Sequence, residues 1–321
     1  MKNKPIIVVN GEPNSIFLEI FFKSLKRKKF KSPIILITSL KLLKYFMKKL
    51  NFKKKIKIID LKKINKENLN NNFINLIDIN YNLKLKTKKI TNLSKSFIDD
   101  CFKTAFKLIK SGISNKLVNG PISKKNFLNK KYPGMTEYFS KINGTKIFAM
   151  LIYNEELSVC PLTTHVPIKN VTKLIKKSEI KNKIYLINKF YKSLRGIKPK
   201  IAILGLNPHC ESNHKYNEDD KILRPTIKSL VNLGFKVSGP HSADTIFLRK
   251  NRKKYDVILG MYHDQVLTPL KTLYEYDAIN ITLGLDFLRV TPDHGPNISM
   301  VGKNKSNPQS LINAMTFLDL N

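Results

Sequence analysis

Short apolar runs that stop at a turn and hand over to an amphipathic segment recur along the chain, and this alternation restricts the fold more than any other feature. Pro5 to Val9 reads PIIVV and ends at Asn10-Gly11-Glu12-Pro13. A β-branched run without polar alternation is a strand buried on both faces, and a Gly/Pro turn terminates it. Ser15 is placed to cap a helix in which Ile16, Ile20 and Phe21 form an apolar stripe opposite lysines. Pro33 to Thr38 is the next strand, Leu40 to Leu50 the next helix, and Ile56 to Ile59 a third strand. Strands that alternate with helices pair in parallel through crossovers, so the chain is predicted to be α/β.

The segment Lys62 to Lys89 interrupts this pattern with Lys and Asn. It reads as a solvated insertion, at most a hairpin, and carries no chemistry. A helix over Leu93 to Ser111 follows, with Phe97, Cys101, Ala105 and Leu108 on one face, then a strand at Lys116 to Val118. Gly134-Met135-Thr136-Glu137 reads as a turn that offers a hydroxyl and a carboxylate. Strands are expected at Ile147 to Tyr153, Leu157 to Leu162, Lys200 to Leu206, near Val237, at Val257 to Leu259 and at Ile279 to Leu283. Helices fill Lys169 to Leu194 and Glu218 to Leu233.

Three histidines occupy equivalent places in this scheme. His165 follows LSVCPLTT, His209 follows IAILGLNP and His263 follows VILGMY, each just past a strand-like run. Open α/β sheets bind ligands at the carboxyl ends of their strands. Three neutral imidazoles suit a borderline divalent cation such as Zn²⁺, Co²⁺ or Mn²⁺, with Asp264 or Asp244 available to orient a ring. The surrounding stretch, 257–294, is dense in polar groups, with Lys271, Asn280 and Arg289 at nine-residue intervals. Lys271 and Arg289 are the candidate receivers of an anion. His214 reads as a surface residue, while His241 and His294 stay open. No G-x-G-x-x-G follows a strand, and there is neither a Walker loop nor a G-x-S-x-G elbow. From the residues alone the chain is a metal-dependent α/β enzyme acting on an anionic small molecule.

Charge raises a competing class. The chain carries 59 basic and 23 acidic residues, a formal net charge of +36, which is the signature of a nucleic-acid binder. Only six of the basic residues are arginines, however, and the lysines are spread throughout. Base and phosphate readers depend on the bidentate guanidinium. Lys, Asn and Ile are the residues AT-rich codons specify, so the charge reads as compositional and no nucleic-acid partner is expected. The three cysteines form no C-x-x-C pair, the apolar run near the N-terminus is too short for a signal peptide, and no run reaches the ~18 residues of a membrane span. A reduced, cytoplasmic protein without a membrane partner is expected.

Taken in order, GEPNSI, NGPISKK, GMTEYF, LTTHVPI, GLNPHCE, ADTIF, MYHDQ, NITLGLDFLR and DHG resemble the motifs of the 4-hydroxythreonine-4-phosphate dehydrogenase family, which serves pyridoxal-phosphate biosynthesis. The resemblance covers nearly the whole chain outside 50–90, and MYHDQ with NITLGLDFLR is its most specific part. It implies an isocitrate/isopropylmalate-dehydrogenase-like fold of two α/β/α domains with a central cleft, in a homodimer. One domain would comprise 1–126 with 276–321, and the other 127–275, which carries the histidines. His165, His209 and His263 inherit the binding of a divalent metal (Zn, Mg, Mn or Co), with ligands drawn from both subunits. Thr136, Lys271, Asn280 and Arg289 match substrate-contacting positions, and Asp244 and Lys271 are the candidate catalytic residues. The implied reaction oxidises 4-phosphooxy-L-threonine with NAD and decarboxylates the product to 3-amino-2-oxopropyl phosphate. Sister enzymes act on 4-phospho-D-threonate or 4-phospho-D-erythronate. Three departures stand out. Met135 replaces the histidine of the family's GHTE, the loop reading Cys210-Glu211-Ser212-Asn213 is one residue shorter, and GEPNSIFL replaces a turn of smaller residues.

Overall fold

A computed structural model of the chain describes residues 4–81, 92–123, 127–128, 132–211, 216–292 and 294–321. It divides into two compact units, residues 1–132 with 286–321 and residues 133–285. The partition expected from sequence left 276–285 with the first unit. Strand Ile279–Leu283 lies instead in the second, because it pairs antiparallel with Ala149–Tyr153.

The first unit is built on β1 (Ile6–Val9), β2 (Ile34–Thr38), β3 (Ile56–Ile58), β4 (Ile74–Asp78), β5 (Lys116–Asn119) and β12 (Leu288–Pro292). These six lie in the order β3-β4-β2-β1-β5-β12 and every neighbouring pair is parallel. The β1 and β2 residues are all buried, as their unbroken apolar sequences require. Helices α1 (Phe17–Arg27), α2 (Leu40–Lys49) and α3 (Asn92–Lys110) supply the crossovers. Ser39 caps α2 by accepting from the Leu42 amide. Over 62–81, strand β4 corrects the reading of 62–89 as a solvated insertion, while 82–89 lies outside the described residues. Ile74, Leu76 and Ile77 are buried, and β4 sits between β3 and β2, so an interior strand was concealed by the Lys and Asn around it.

The second unit holds β6 (Ala149–Tyr153), β7 (Ser158–Thr163), β8 (Ile201–Leu204), β9 (Val237–His241), β10 (Val257–Tyr262) and β11 (Ile279–Leu283). Their order is β11-β6-β7-β10-β8-β9. The β11–β6 and β6–β7 pairs are antiparallel, while β7, β10, β8 and β9 run parallel. Helices α4 (Met135–Ile142), α5 (Lys177–Arg195), α6 (Arg224–Asn232) and α7 (His263–Tyr274) belong to this unit. The core joins Met150, Ile152, Val159, Ala202, Leu204 and Ile258 of the sheet to Val266, Leu267 and Leu270 of α7. Each of these side chains except the small Ala202 contributes about 1.5–3 kcal/mol by leaving water. The spacing of the three α7 residues presents one helical face to the sheet and leaves Lys271 beside it. In the first unit, α8 (Gln309–Leu320) buries Leu311, Ala314, Met315 and Leu318 in the same way.

No helix among the described residues is long and apolar enough to cross a membrane.

Candidate active site

The parallel block β7-β10-β8-β9 explains how residues far apart in sequence come to one edge. Its strands deliver, in that spatial order, His165, His263, His209 and the short helix Ala243–Ile246 bearing Asp244 at their carboxyl ends. Three hydrogen bonds hold the ends in register. Thr163 Oγ1 donates to the Met261 carbonyl at 2.8 Å, tying β7 to β10. Gln265 Oε1 accepts the Met261 amide at 2.7 Å, and its Nε2 donates to the Gly205 carbonyl at 2.8 Å, tying β10 to the turn after β8. Sequence reasoning passed over Gln265, although its place in MYHDQ was the available signal.

The His165 and His263 rings stand with centroids 5.9 Å apart and planes tilted by 42°. Each of the three candidate metal histidines has Nδ1 near a carboxylate, and of these contacts only His263–Asp264 has hydrogen-bond geometry. His165 Nδ1 lies 3.4 Å from Glu137 Oε2, His263 Nδ1 2.6 Å from Asp264 Oδ1, and His209 Nδ1 3.9 Å from Asp244 Oδ2. A ring that gives its Nδ1 proton to a carboxylate has Nε2 as its metal ligand, which is the usual outer support of a bound metal. Among the described residues, however, no three His, Cys, Asp or Glu side chains converge closely enough to hold an ion. His165 and His263 are brought together, and His209 pairs with Asp244, but the single chain does not unite all three histidines.

His209 occupies an unusual backbone. Both His209 and Cys210 have positive φ, 57° and 60°, a region that costs non-glycine residues free energy and is held only by strong surroundings. The brace is Asp219, which is fully buried. Its carboxylate accepts the amides of Leu206 at 2.9 Å and Asn207 at 3.0 Å, and the Asn207 side-chain amide at 2.8 Å. Arg224 donates to the Cys210 carbonyl at 3.2 Å. Gly205 is required here, because a Cβ would lie 2.6 Å from Cys210 Sγ and 2.8 Å from Asp219 Oδ1.

Gly134-Met135-Thr136-Glu137 is not the turn expected from sequence but the N-terminus of α4, with Gly134 as its N-cap. The helix places Glu137 beside the end of β7. Burial pushes the Glu137 carboxyl upward, but the His165 ring and the Thr164 hydroxyl outweigh this and hold it at about 2. Asp244 is held below the usual carboxylate range, chiefly by the Ser242 hydroxyl at 2.7 Å. Thr136 is 2% exposed, and Met135 is also buried.

Asn280 lies within β11, and its side-chain oxygen is buried without a hydrogen-bond partner among the described residues. Such an acceptor is rare in a finished interior and marks a place for a donor from a ligand. Lys271 sits on α7, where its Nζ reaches the Glu275 carbonyl at 3.5 Å. Arg289, in the first unit, is 2% exposed on β12, and its Nε donates to Asn119 Oδ1 at 3.0 Å. Of the histidines left open, His241 has Ser238 Oγ at 2.8 Å and Tyr255 OH at 3.1 Å from Nε2, and burial lowers its pKa. His294 Nδ1 is 3.0 Å from the Gly295 carbonyl. Lys124 of NGPISKK, Ser212 and Asn213 of the shortened loop, His214, and Asp293 of DHG lie outside the described residues.

Residues 29–318 match the family model described as pyridoxal phosphate biosynthetic protein PdxA. The chain is similar to the 4-hydroxythreonine-4-phosphate dehydrogenase of Sulfurihydrogenibium sp., with 36% identity over 320 residues that cover 97% of this chain and 96% of that protein. It is also similar to the D-threonate 4-phosphate dehydrogenase of Salmonella typhimurium, with 29% identity covering 95% of this chain and 96% of that one. The crystal structure of 4-hydroxythreonine-4-phosphate dehydrogenase from Klebsiella pneumoniae matches with a TM-score of 0.84 at 26% identity, covering 98% of each chain. The chain belongs to the PdxA family of pyridoxal phosphate biosynthetic proteins.

Proposed function

We propose that the chain is an NAD-dependent, divalent-metal-dependent dehydrogenase that converts 4-phosphooxy-L-threonine to 3-amino-2-oxopropyl phosphate for pyridoxal 5'-phosphate synthesis. The observation that carries this reading is the facing pair His165 and His263, each with Nδ1 near a carboxylate. That donor chemistry fits a cation such as Zn²⁺, Mg²⁺, Mn²⁺ or Co²⁺ held by His165, His209 and His263. In a cytoplasmic homodimer the set would be completed across subunits. When bound, the cation supplies Lewis acidity at the oxygen undergoing oxidation.

With NAD bound to take up the C3 hydride, the C3 hydroxyl proton would pass to a base and a β-keto acid would result. C1 then departs as CO₂ and a proton returns to C2. We assign the proton handling to Asp244, at its carboxylate, and to Lys271, at Nζ. We assign substrate contacts to Thr136, Lys271 and Asn280, the Asn280 oxygen accepting from a substrate donor. Arg289 is assigned an anion contact. Its planar fork suits a phosphate or carboxylate. The two compact units, with no glycine-rich dinucleotide turn, support an isocitrate/isopropylmalate-dehydrogenase-like fold.

Met135, in place of the family histidine, favours a second reading, oxidation of 4-phospho-D-threonate or 4-phospho-D-erythronate. NADH formation with each of the three substrates, with and without chelator, decides between them. Turnover of 4-phosphooxy-threonine that chelation abolishes supports the first reading, and turnover of only a sugar-acid phosphate supports the second. Chelator-insensitive activity on every substrate would remove the metal.

A further inference from the structure

We propose that Glu137 is the positioning residue for His165, accepting the ring's Nδ1 proton and thereby presenting Nε2 as the ligand atom. The proposal rests on the metal reading given above. Three observations carry it. First, Glu137 lies against both His165 and the residue before it: Oε1 accepts from Thr164 Oγ1 at 2.6 Å, while Oε2 lies 3.4 Å from His165 Nδ1, within ion-pair reach but outside hydrogen-bond geometry. One oxygen is therefore anchored to the chain that carries the ring, which leaves the other beside the ring.

Second, the pair is shielded. The Glu137 and His165 side chains are 14% and 19% exposed, whereas Asp264 and Asp244, beside the other two histidines, are 78% and 58% exposed. Water and salt weaken the exposed pairs, whereas the largely shielded Glu137 carboxylate acts at lower dielectric.

Third, the space is built for this contact. A Cβ on Gly134 would lie 2.3 Å from both Cε1 and Nδ1 of His165 and 2.6 Å from Glu137 Oε2. Only glycine lets the ring and the carboxylate meet over the helix N-terminus. Glycine at the N-cap and glutamate three positions on are thus one device, visible in GMTE once that segment is known to start a helix.

The test measures Zn²⁺ affinity of the full-length protein by competition with a chromophoric chelator, and the His165 tautomer by ¹⁵N-histidine spectra of metal-free protein. His165→Ala should lose the metal by roughly a hundredfold or more, and Glu137→Ala should weaken it roughly ten- to a hundredfold. Glu137→Gln, whose amide oxygen still accepts from Nδ1, should fall between Glu137→Ala and wild type. The wild-type ring should be the Nδ1–H tautomer and Glu137→Ala should move towards Nε2–H. Gly134→Ala should weaken binding in the same direction. If Glu137→Ala proves unfolded by circular dichroism, Thr164→Val removes only the Oε1 anchor and should weaken binding at least about threefold. Unchanged affinity and tautomer in Glu137→Ala, or in Thr164→Val if that is the variant that folds, would overturn the positioning role while His165→Ala still lost the metal. If His165→Ala binds Zn²⁺ as wild type does, the metal reading itself fails and the proposal with it.

Discussion

Met135 and Glu137 stand two positions apart at the start of α4, and they put opposite demands on the site. Glu137 keeps a charge in place, whereas Met135 puts a thioether where the family has a histidine. A thioether donates no hydrogen bond. A lost hydrogen bond to a charged substrate group is worth roughly 1.5–3 kcal/mol, or about ten- to a hundredfold in kcat/KM. Met135→His should therefore raise kcat/KM on 4-phosphooxy-threonine by about that factor, with steady-state NADH formation as the measurement. No gain there, with a gain on phospho-threonate or phospho-erythronate, would move the substrate assignment to the sugar-acid phosphates. Glu12 offers a second residue-scale test, through pH. It is fully buried in the turn after β1, and burial pushes its carboxyl up to about 7, with the Ser94 hydroxyl working the other way. The folded state thus keeps a proton that the unfolded chain releases near the ordinary value of 4.5. The stability this confers is complete below that value and is lost as pH rises through about 7. Glu12→Gln should leave Tm little changed near pH 4.5 and raise it at pH 8, flattening the decline between them. A Tm that falls equally at both values would show that Glu12 is stabilising when ionised.

At the scale of elements, the turn leaving β8 decides where His209 points, and Asp219 decides the turn. Removing its carboxylate strands the Leu206 and Asn207 amides in a buried place, which costs on the order of 3 kcal/mol. Asp219→Ala should lower Tm by several degrees and weaken metal binding together. Full metal affinity in a destabilised variant would separate the turn from the site. Much of this was legible beforehand, because strand ends are where α/β sheets present ligands and each candidate histidine follows an apolar run. The strand order was not legible: nothing in the sequence says that β10 inserts between β7 and β8, and that insertion is what brings His263 to His165. Strand β4 was hidden because its buried residues are few and its flanks are Lys and Asn. The start of α4 was misread because Gly134 looks like a turn residue, whereas its role is to clear space for His165. Asp219 escaped notice for a related reason, since a buried carboxylate that accepts backbone amides has no periodic signature.

For the whole molecule the unresolved force is charge. A net +36 on 321 residues produces self-repulsion that opposes compaction. Several ion pairs work the other way, among them Lys57–Glu67 at 2.7 Å, Lys103–Asp100 at 3.3 Å and Arg224–Asp220 at 2.9 Å. The Lys103 and Arg224 pairs are largely exposed, so water and salt screen them. Salt weakens both effects, so the sign of its action shows which is larger. The excess of lysines far outnumbers these pairs, and screening shortens from about 30 Å at 0.01 M to about 3 Å at 1 M. Repulsion should therefore dominate. Raising NaCl from about 0.05 to about 0.5 M is expected to raise Tm by about 3 °C or more, read by circular dichroism at constant pH. A flat or falling Tm would mean that the lysines are already compensated locally, by geometry or by bound anions. Phosphate in place of chloride then distinguishes the two. Bound anions predict a rise at millimolar phosphate, well below the concentration at which screening acts, while geometric compensation predicts none.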